Sequence, residues 1–186
     1  MSNHGFFSED PKTLWITDPD KADRNMELLA DFSYTDPQGR VWLAPKGSTI
    51  NGASIPRPLW STVGSPYTDD YRRASITHDV ACNTPGIPRK EADVMFFHAC
   101  RAGGCNAAQA RVLYAGVRIG AWASASIPKH TFSRDKLLFR THISTPFNEE
   151  LFLKGKLSDI SNEMDGLSDD TTIEQLDNII ERHIKF

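Results

Sequence analysis

Cysteine is scarce in this chain. The three present, Cys82, Cys100 and Cys105 among 186 residues, are too few and odd in number to build the paired framework on which small secreted folds rely. A reducing compartment, the cytoplasm of the producing cell, is therefore expected, with signal-independent export left open. The first ten residues have neither a basic start nor an apolar run closing on small residues, so no signal peptide is recognised. Long apolar runs are also missing: the longest weakly polar stretch, Val112 to Ile127, is interrupted by Arg118 and is too short to span a bilayer. There is no excess of positive charge, since 21 Lys and Arg face 24 Asp and Glu for a net charge of −3. That excludes a polybasic nucleic-acid binder. With 12 Gly, 11 Pro and no internal repeat, the chain is neither collagenous nor low in complexity. What remains is the composition of an ordinary soluble domain. A domain of roughly 130 residues buries well over half of the surface its unfolded chain exposes, so a metal would be functional rather than a staple.

The charge is unevenly distributed. Residues 1–145 carry 17 basic and 14 acidic side chains, whereas residues 146–186 carry 4 and 10. This shift sets a boundary near Pro146, between a first domain and an acidic C-terminal extension. Thr13 to Thr17, Met26 to Tyr34 and Arg40 to Ala44 read as strands, the last two joined by the turn residues Asp36-Pro37-Gln38-Gly39. The glycines and prolines of Lys46 to Pro58 favour an irregular loop. Helical spacing starts at a cap formed by Thr68-Asp69-Asp70, breaks at Asn83 to Pro88, resumes from Pro88 or Arg89 to Gly103-Gly104, and returns from about Asn106 to Ala125. Ala108, Ala115, Gly116, Gly120 and Ala123 would let another helix approach that third helix closely. Ile173, Leu176, Ile179, Ile180 and Ile184 form an amphipathic stripe in the extension, free to dock on its own domain, another subunit or a partner. The expected fold is α+β and mainly helical: a small N-terminal β region, an antiparallel helix hairpin and a third helix.

The hairpin carries the chemistry. In two antiparallel helices, residues equidistant from the turn lie at one height. Reflection about the turn at Thr84 to Gly86 sets His78 level with Asp93 and Cys82 near Arg89. An imidazole held by a carboxylate on one nitrogen keeps the other as a basic atom, the arrangement of an oriented general base. Asp79 points to an adjoining side of the same helix. Cys100 lies far from Cys82, and Cys105, after the Gly-Gly turn, can swing towards a neighbour. His98 reads as a solvated or packing histidine, and the four tryptophans as core and loop packing, with Leu59-Trp60 beside the loop within reach of an acyl chain.

The run Ala74-Ser75-Ile76-Thr77-His78-Asp79-Val80-Ala81-Cys82, followed by a helix bearing Asp93 and Phe97, resembles the His-Asp helix pair of phospholipase A2. The loop Asn51-Gly52-Ala53-Ser54-Ile55-Pro56 is similar to the segment that precedes those helices in the bacterial and fungal secreted branch. From Gly47 to about Trp122, including Arg89-Lys90-Glu91-Ala92-Asp93-Val94-Met95-Phe96, the chain also resembles an uncharacterised family of phage and bacterial proteins, a domain of unknown function. The phospholipase resemblance implies that His78 takes a proton from water attacking an ester carbonyl and that Asp93 orients it. It implies further that Asp79, with loop oxygens of Asn51, Gly52 and Ser54, binds a Ca²⁺ that polarises the carbonyl. Asn51 stands where both patterns usually have an acidic residue, and Ala81-Cys82 replaces a tyrosine that often follows the His-Asp pair.

Three functions follow as expectations. The first is a calcium-dependent phospholipase A2-like hydrolase acting on a phospholipid membrane surface, as a phage-borne or secreted antibacterial effector. The second is a non-enzymatic phage tail or secretion-apparatus component that keeps the fold and meets a protein partner or an immunity protein through the acidic extension. The third is a metal-dependent phosphohydrolase using His78 and Asp79. Nucleic acid is not an expected partner.

Overall fold

A computed structural model describes residues 3–17, 25–64, 70–126 and 146–185. Among these residues six short strands come first: β1 Phe6–Phe7, β2 Thr13–Ile16, β3 Asn25–Leu28, β4 Phe32–Thr35, β5 Val41–Ala44 and β6 Thr49–Ile50. A 3-10 turn, Arg57–Leu59, runs into the short helix α1 Trp60–Val63. The helices α2 Arg72–Asn83, α3 Arg89–Gly103, α4 Ala107–Ser126, α5 Pro146–Met164 and α6 Ile173–His183 complete the chain. The architecture is α+β and mainly helical, as expected.

The strands form two antiparallel three-stranded sheets, ordered β1-β4-β5 and β2-β3-β6. The single strand expected over Met26 to Tyr34 is two strands that belong to different sheets. Met26, Leu28, Phe32 and Tyr34 are all buried, so the period of two runs unbroken across the bend and hides it. The chain bends there because Gly47 N–H bonds to Leu28 O at 2.8 Å and Lys46 N–H to Asp31 Oδ1 at 2.7 Å. Between β4 and β5 the expected turn forms: Asp36 Oδ1 accepts from the backbone of Gln38 and Arg40, and Oδ2 accepts from Trp42 Nε1 at 2.9 Å. The stretch read as an irregular loop, Lys46 to Pro58, contains β6 as well as the 3-10 turn's approach.

A small core of Met26, Leu28, Phe32, Ala44, Ile50 and Ile76 fastens α2 to the strands. The larger core joins α2, α3 and α4 through residues such as Tyr71, Phe96, Leu113 and Tyr114. The cap residues Thr68 and Asp69 lie outside the described residues. α3 ends where Gly104 takes φ 118°, the left-handed conformation that terminates a helix at least cost when no Cβ is present. The N-terminal segment lies against α3, with His4 Nδ1 and His98 Nδ1 3.0 Å apart and the Tyr34 hydroxyl donating to the His4 carbonyl.

The acidic extension docks on its own chain. Leu153, Leu157, Ile160 and Met164 of α5 and Leu176, Ile180 and Ile184 at α6 enter the larger core. α6 begins with a reciprocal cap, in which Thr172 Oγ1 accepts from Gln175 N–H and the Gln175 side chain accepts from Thr172 N–H. α5 is not marked by the sequence pattern.

Helices α3 and α5 pack on α4, but its glycines Gly116 and Gly120 receive a loop. Ile55 packs over Gly116, and a Cβ added at Gly120 would lie 2.2 Å from Ser54 O. Gly120→Ala is therefore expected to lower stability by about 1–3 kcal/mol through overpacking. Gly155→Ala, where an added Cβ meets nothing within 4 Å in the exposed middle of α5, is expected to raise it by about 0.5–1 kcal/mol. Thermal unfolding of the two variants beside the parent protein checks the opposite signs.

Candidate functional site

Three helices converge on Asp93. α2 supplies His78, whose Nε2 lies 2.8 Å from Asp93 Oδ1. α3 supplies Asp93 itself and, one turn earlier, Arg89, whose Nε donates to the same oxygen at 3.0 Å. α4 supplies Arg118, whose Nη1 donates to Oδ2 at 3.2 Å. His78 and Asp93 have no exposed surface, and Arg118 is nearly as buried. The Phe96 ring lies 4.8 Å from the imidazole, centre to centre, and closes the apolar side.

This environment sets the protonation states. Burial lowers the His78 pKa, opposed by the hydrogen bond and charge of Asp93 and reinforced by Arg89, so the ring is neutral. Burial works against the Asp93 charge, but the hydrogen bond from His78 and the Arg89 guanidinium more than offset it and hold the carboxyl below its usual range. An ionised Asp93 accepts, so His78 carries its proton on Nε2. Nδ1 is then the basic atom. The partly buried Cys82, one turn along α2, places its Sγ 3.8 Å from that Nδ1 and 3.5 Å from Nε2. Burial pushes the Cys82 thiol up to about 11, so it is protonated at neutral pH.

The loop before α1 meets α2 beside the pair. Asn51 N–H donates to Asp79 Oδ2 at 2.7 Å, Trp60 Nε1 donates to Ile55 O at 3.0 Å, and Ser54 bonds to Cys82. Asp79, Asn51, Gly52 and Ser54 thus share one neighbourhood. As arranged, however, they do not fit a Ca²⁺ ion, which takes about six to eight oxygen ligands. The loop presents an N–H to the Asp79 carboxylate, and the Ser54 carbonyl faces Gly120 on α4. Among the described residues, one group of His, Cys, Asp and Glu has metal-ligand spacing: His78, Cys82 and Asp93, with donor atoms within 4.8 Å of one another. Two guanidiniums already hold Asp93 there, and their charge opposes a cation. A groove of about 430 Å³ lies elsewhere, between the β4–β5 hairpin and α3, and none of these residues lines it.

The structure brings His78 to Asp93 and Asp79 to the loop at Asn51. It adds Arg89, Cys82 and Arg118, which sequence reasoning did not assign to the site. Arg118 carried a signal, as the lone charge within the buried run Leu113–Gly120 of α4. Cys105 stands beside Cys100, its N–H bonding to Cys100 O at 3.1 Å.

Fold and site together define a helix-hairpin protein built around a buried His-Asp pair. Residues 26–117, which contain both partners, match the family described as "Protein of unknown function (DUF1353)". Two proteins of Sinorhizobium fredii (strain NBRC 101917 / NGR234) are similar. "Uncharacterized protein y4jT" is 36% identical over 109 residues, 59% of this chain and 29% of the relative. "Uncharacterized protein y4iH" is 38% identical over 90 residues, 48% of this chain and 38% of the relative. The chain thus spans well under half of either relative's length. No solved structure matches. Among the described residues, no helix is long and apolar enough to cross a membrane.

Two outcomes follow from the buried cluster. With the His78 pKa lowered in the folded state, the unfolded chain binds the extra proton between that lowered value and the ordinary 6.5. His78 thus adds a stability term that is fully present above about pH 6.5 and lost as pH falls below it. Urea unfolding between about pH 5 and 7 is expected to show a steeper loss for the parent protein than for His78→Gln. Asp93→Ala, which leaves Arg118 buried beside no carboxylate at that position, is expected to cost about 3–5 kcal/mol in the same assay at neutral pH.

Proposed function

We propose that the protein is a hydrolase of phospholipid ester bonds in which His78 is the general base and Asp93 fixes its tautomer. The bond between His78 Nε2 and Asp93 Oδ1, 2.8 Å long and joining two antiparallel helices, carries this reading. It leaves Nδ1 basic, the relation that the phospholipase A2 resemblance implies. A water on Nδ1 would give up its proton as its oxygen attacks the ester carbonyl. Collapse of the tetrahedral adduct breaks the carbon–oxygen bond to glycerol, the proton passes to the leaving alkoxide, and fatty acid and lysolipid depart. Access requires the Asn51 to Pro56 segment to lift from α2 and α4. A conformation with loop carbonyls turned towards Asp79 is what Ca²⁺ binding would require, so the ion belongs to the proposal as a test condition. A role as a phage-borne or secreted antibacterial effector belongs to the same proposal.

The closed site favours a second reading. An Asp with no exposed surface that bonds to an imidazole and two guanidiniums is also what a non-enzymatic component would use to lock its helices. The guanidiniums on Asp93 weigh against the phosphohydrolase.

Hydrolysis of mixed phospholipid vesicles separates these. Free fatty acid and lysolipid are expected from the parent protein, with at least about a hundredfold loss in His78→Gln, which keeps a donor for Asp93 but no base. Parallel samples with Ca²⁺ and with a chelator decide whether the ion takes part. No lipid product from protein shown to be folded by circular dichroism overturns the hydrolase and leaves the non-enzymatic role.

A further inference from the structure

Asp177 lies on α6, some 84 residues beyond Asp93 in sequence and outside the segment matched to the family. It is nevertheless 6% exposed and bound to the site's surroundings from two helices. Tyr114 Oη on α4 donates to its Oδ1 at 2.6 Å, and Lys90 Nζ at the start of α3 lies 2.8 Å from its Oδ2. Arg118 Nε lies 3.9 Å from Oδ1. The Arg118 guanidinium therefore sits between two buried carboxylates, with Nη1 on Asp93 and its Nε edge towards Asp177.

We propose that Asp177 is a positioning residue for the His78–Asp93 pair, acting through Arg118; this rests on His78 being the base. Two carboxylates share one guanidinium, so the pull of Arg118 on Asp93 depends on how much of its charge Asp177 neutralises. With Asp177 in place, Arg118 meets Asp93 through Oδ2, and Oδ1 is left to His78 and Arg89. Without that charge Arg118 turns its whole field on Asp93. The carboxylate is then a weaker acceptor for the imidazole N–H. Lys90 works in the opposite sense, because it competes with Arg118 for Asp177. The charged and titratable groups that face the His78 cluster are Asp93 and Arg89 from α3, Arg118 from α4, and Cys82 and Asp79 from α2 itself. Among the described residues, Asp177 adds a charge that reaches in from the extension, through Arg118.

The test reads the His78 Nε2 proton directly by ¹⁵N-resolved NMR of the full chain, and needs no hydrolysis. Asp177→Asn keeps an acceptor for Tyr114 and removes the charge; the proton is expected to move upfield and to exchange faster with water. Lys90→Gln alters an exposed side chain; the proton is expected to move downfield and to exchange more slowly. Opposite shifts in the two variants support the proposal. Proton positions unchanged from the parent protein, or shifts of the same sign, overturn it. Should Asp177→Asn not fold, Lys90→Gln decides alone: a downfield shift supports the coupling, and no shift or an upfield one refutes it. If the resonances respond as expected while vesicles stay intact, the coupling stands and hydrolysis falls.

Discussion

An ionised carboxylate with no access to water is stable only if its surroundings supply the charge and hydrogen bonds that water no longer does. Asp93 is that carboxylate. Its two oxygens accept from His78 on α2, from Arg89 on its own helix and from Arg118 on α4. No two of these helices can slide past each other without leaving a buried charge unanswered. The rest of the site follows from this constraint. Burial favours the neutral form of His78, and the ionised Asp93 keeps its proton on Nε2. Arg118, placed to answer Asp93, is itself a buried cation, and Asp177 on α6 is its second partner. The extension is thereby connected to the centre of the hairpin by electrostatics as well as by apolar packing.

Close backbone approach is the second organising device. Gly116 and Gly120 are one turn apart on α4, and together they open a trough into which Ser54, Ile55 and Pro56 settle. The loop then reaches α2 at Asp79 and Cys82, on either side of His78 in sequence. Sheets, loop and helices are thus assembled around a single neighbourhood, although the strands contribute no side chain to it.

The hairpin was legible from sequence because helix geometry is local: a tight turn and a reflection about it suffice to pair position 78 with position 93. The turn at Asp36 to Gly39 was legible for a similar reason, because its residues are contiguous in sequence. The features that escaped depend on contacts distant in sequence. Arg118 looked like an interruption of an apolar run, and Asp177 like one more acidic residue, until both were found facing the same interior; each falls on an otherwise apolar stripe, which was the available signal. α5 went unmarked because Leu151 and Phe152, 60% and 50% exposed, blur the periodicity of Leu153, Leu157 and Ile160. The break between β3 and β4 preserves the alternation of buried residues, so only the pairing partners reveal it. The small-residue face of α4 was read as a seat for another helix, and at Gly116 and Gly120 a loop takes that place.

The burial of His78 has a kinetic meaning. Under the proposed hydrolysis, substrate reaches Nδ1 when the Asn51 to Pro56 segment leaves its trough, so apparent affinity and reactivity would be scaled by the fraction of molecules in which it has left. Ala53 and Ile55 of that segment are buried in the larger core, so lifting it would expose apolar surface. The imidazole would then behave as a gated group, silent in the resting population and exposed in a minor one. A binding surface that holds the loop open, lipid or protein, would act on that fraction and leave the chemistry of the histidine unchanged.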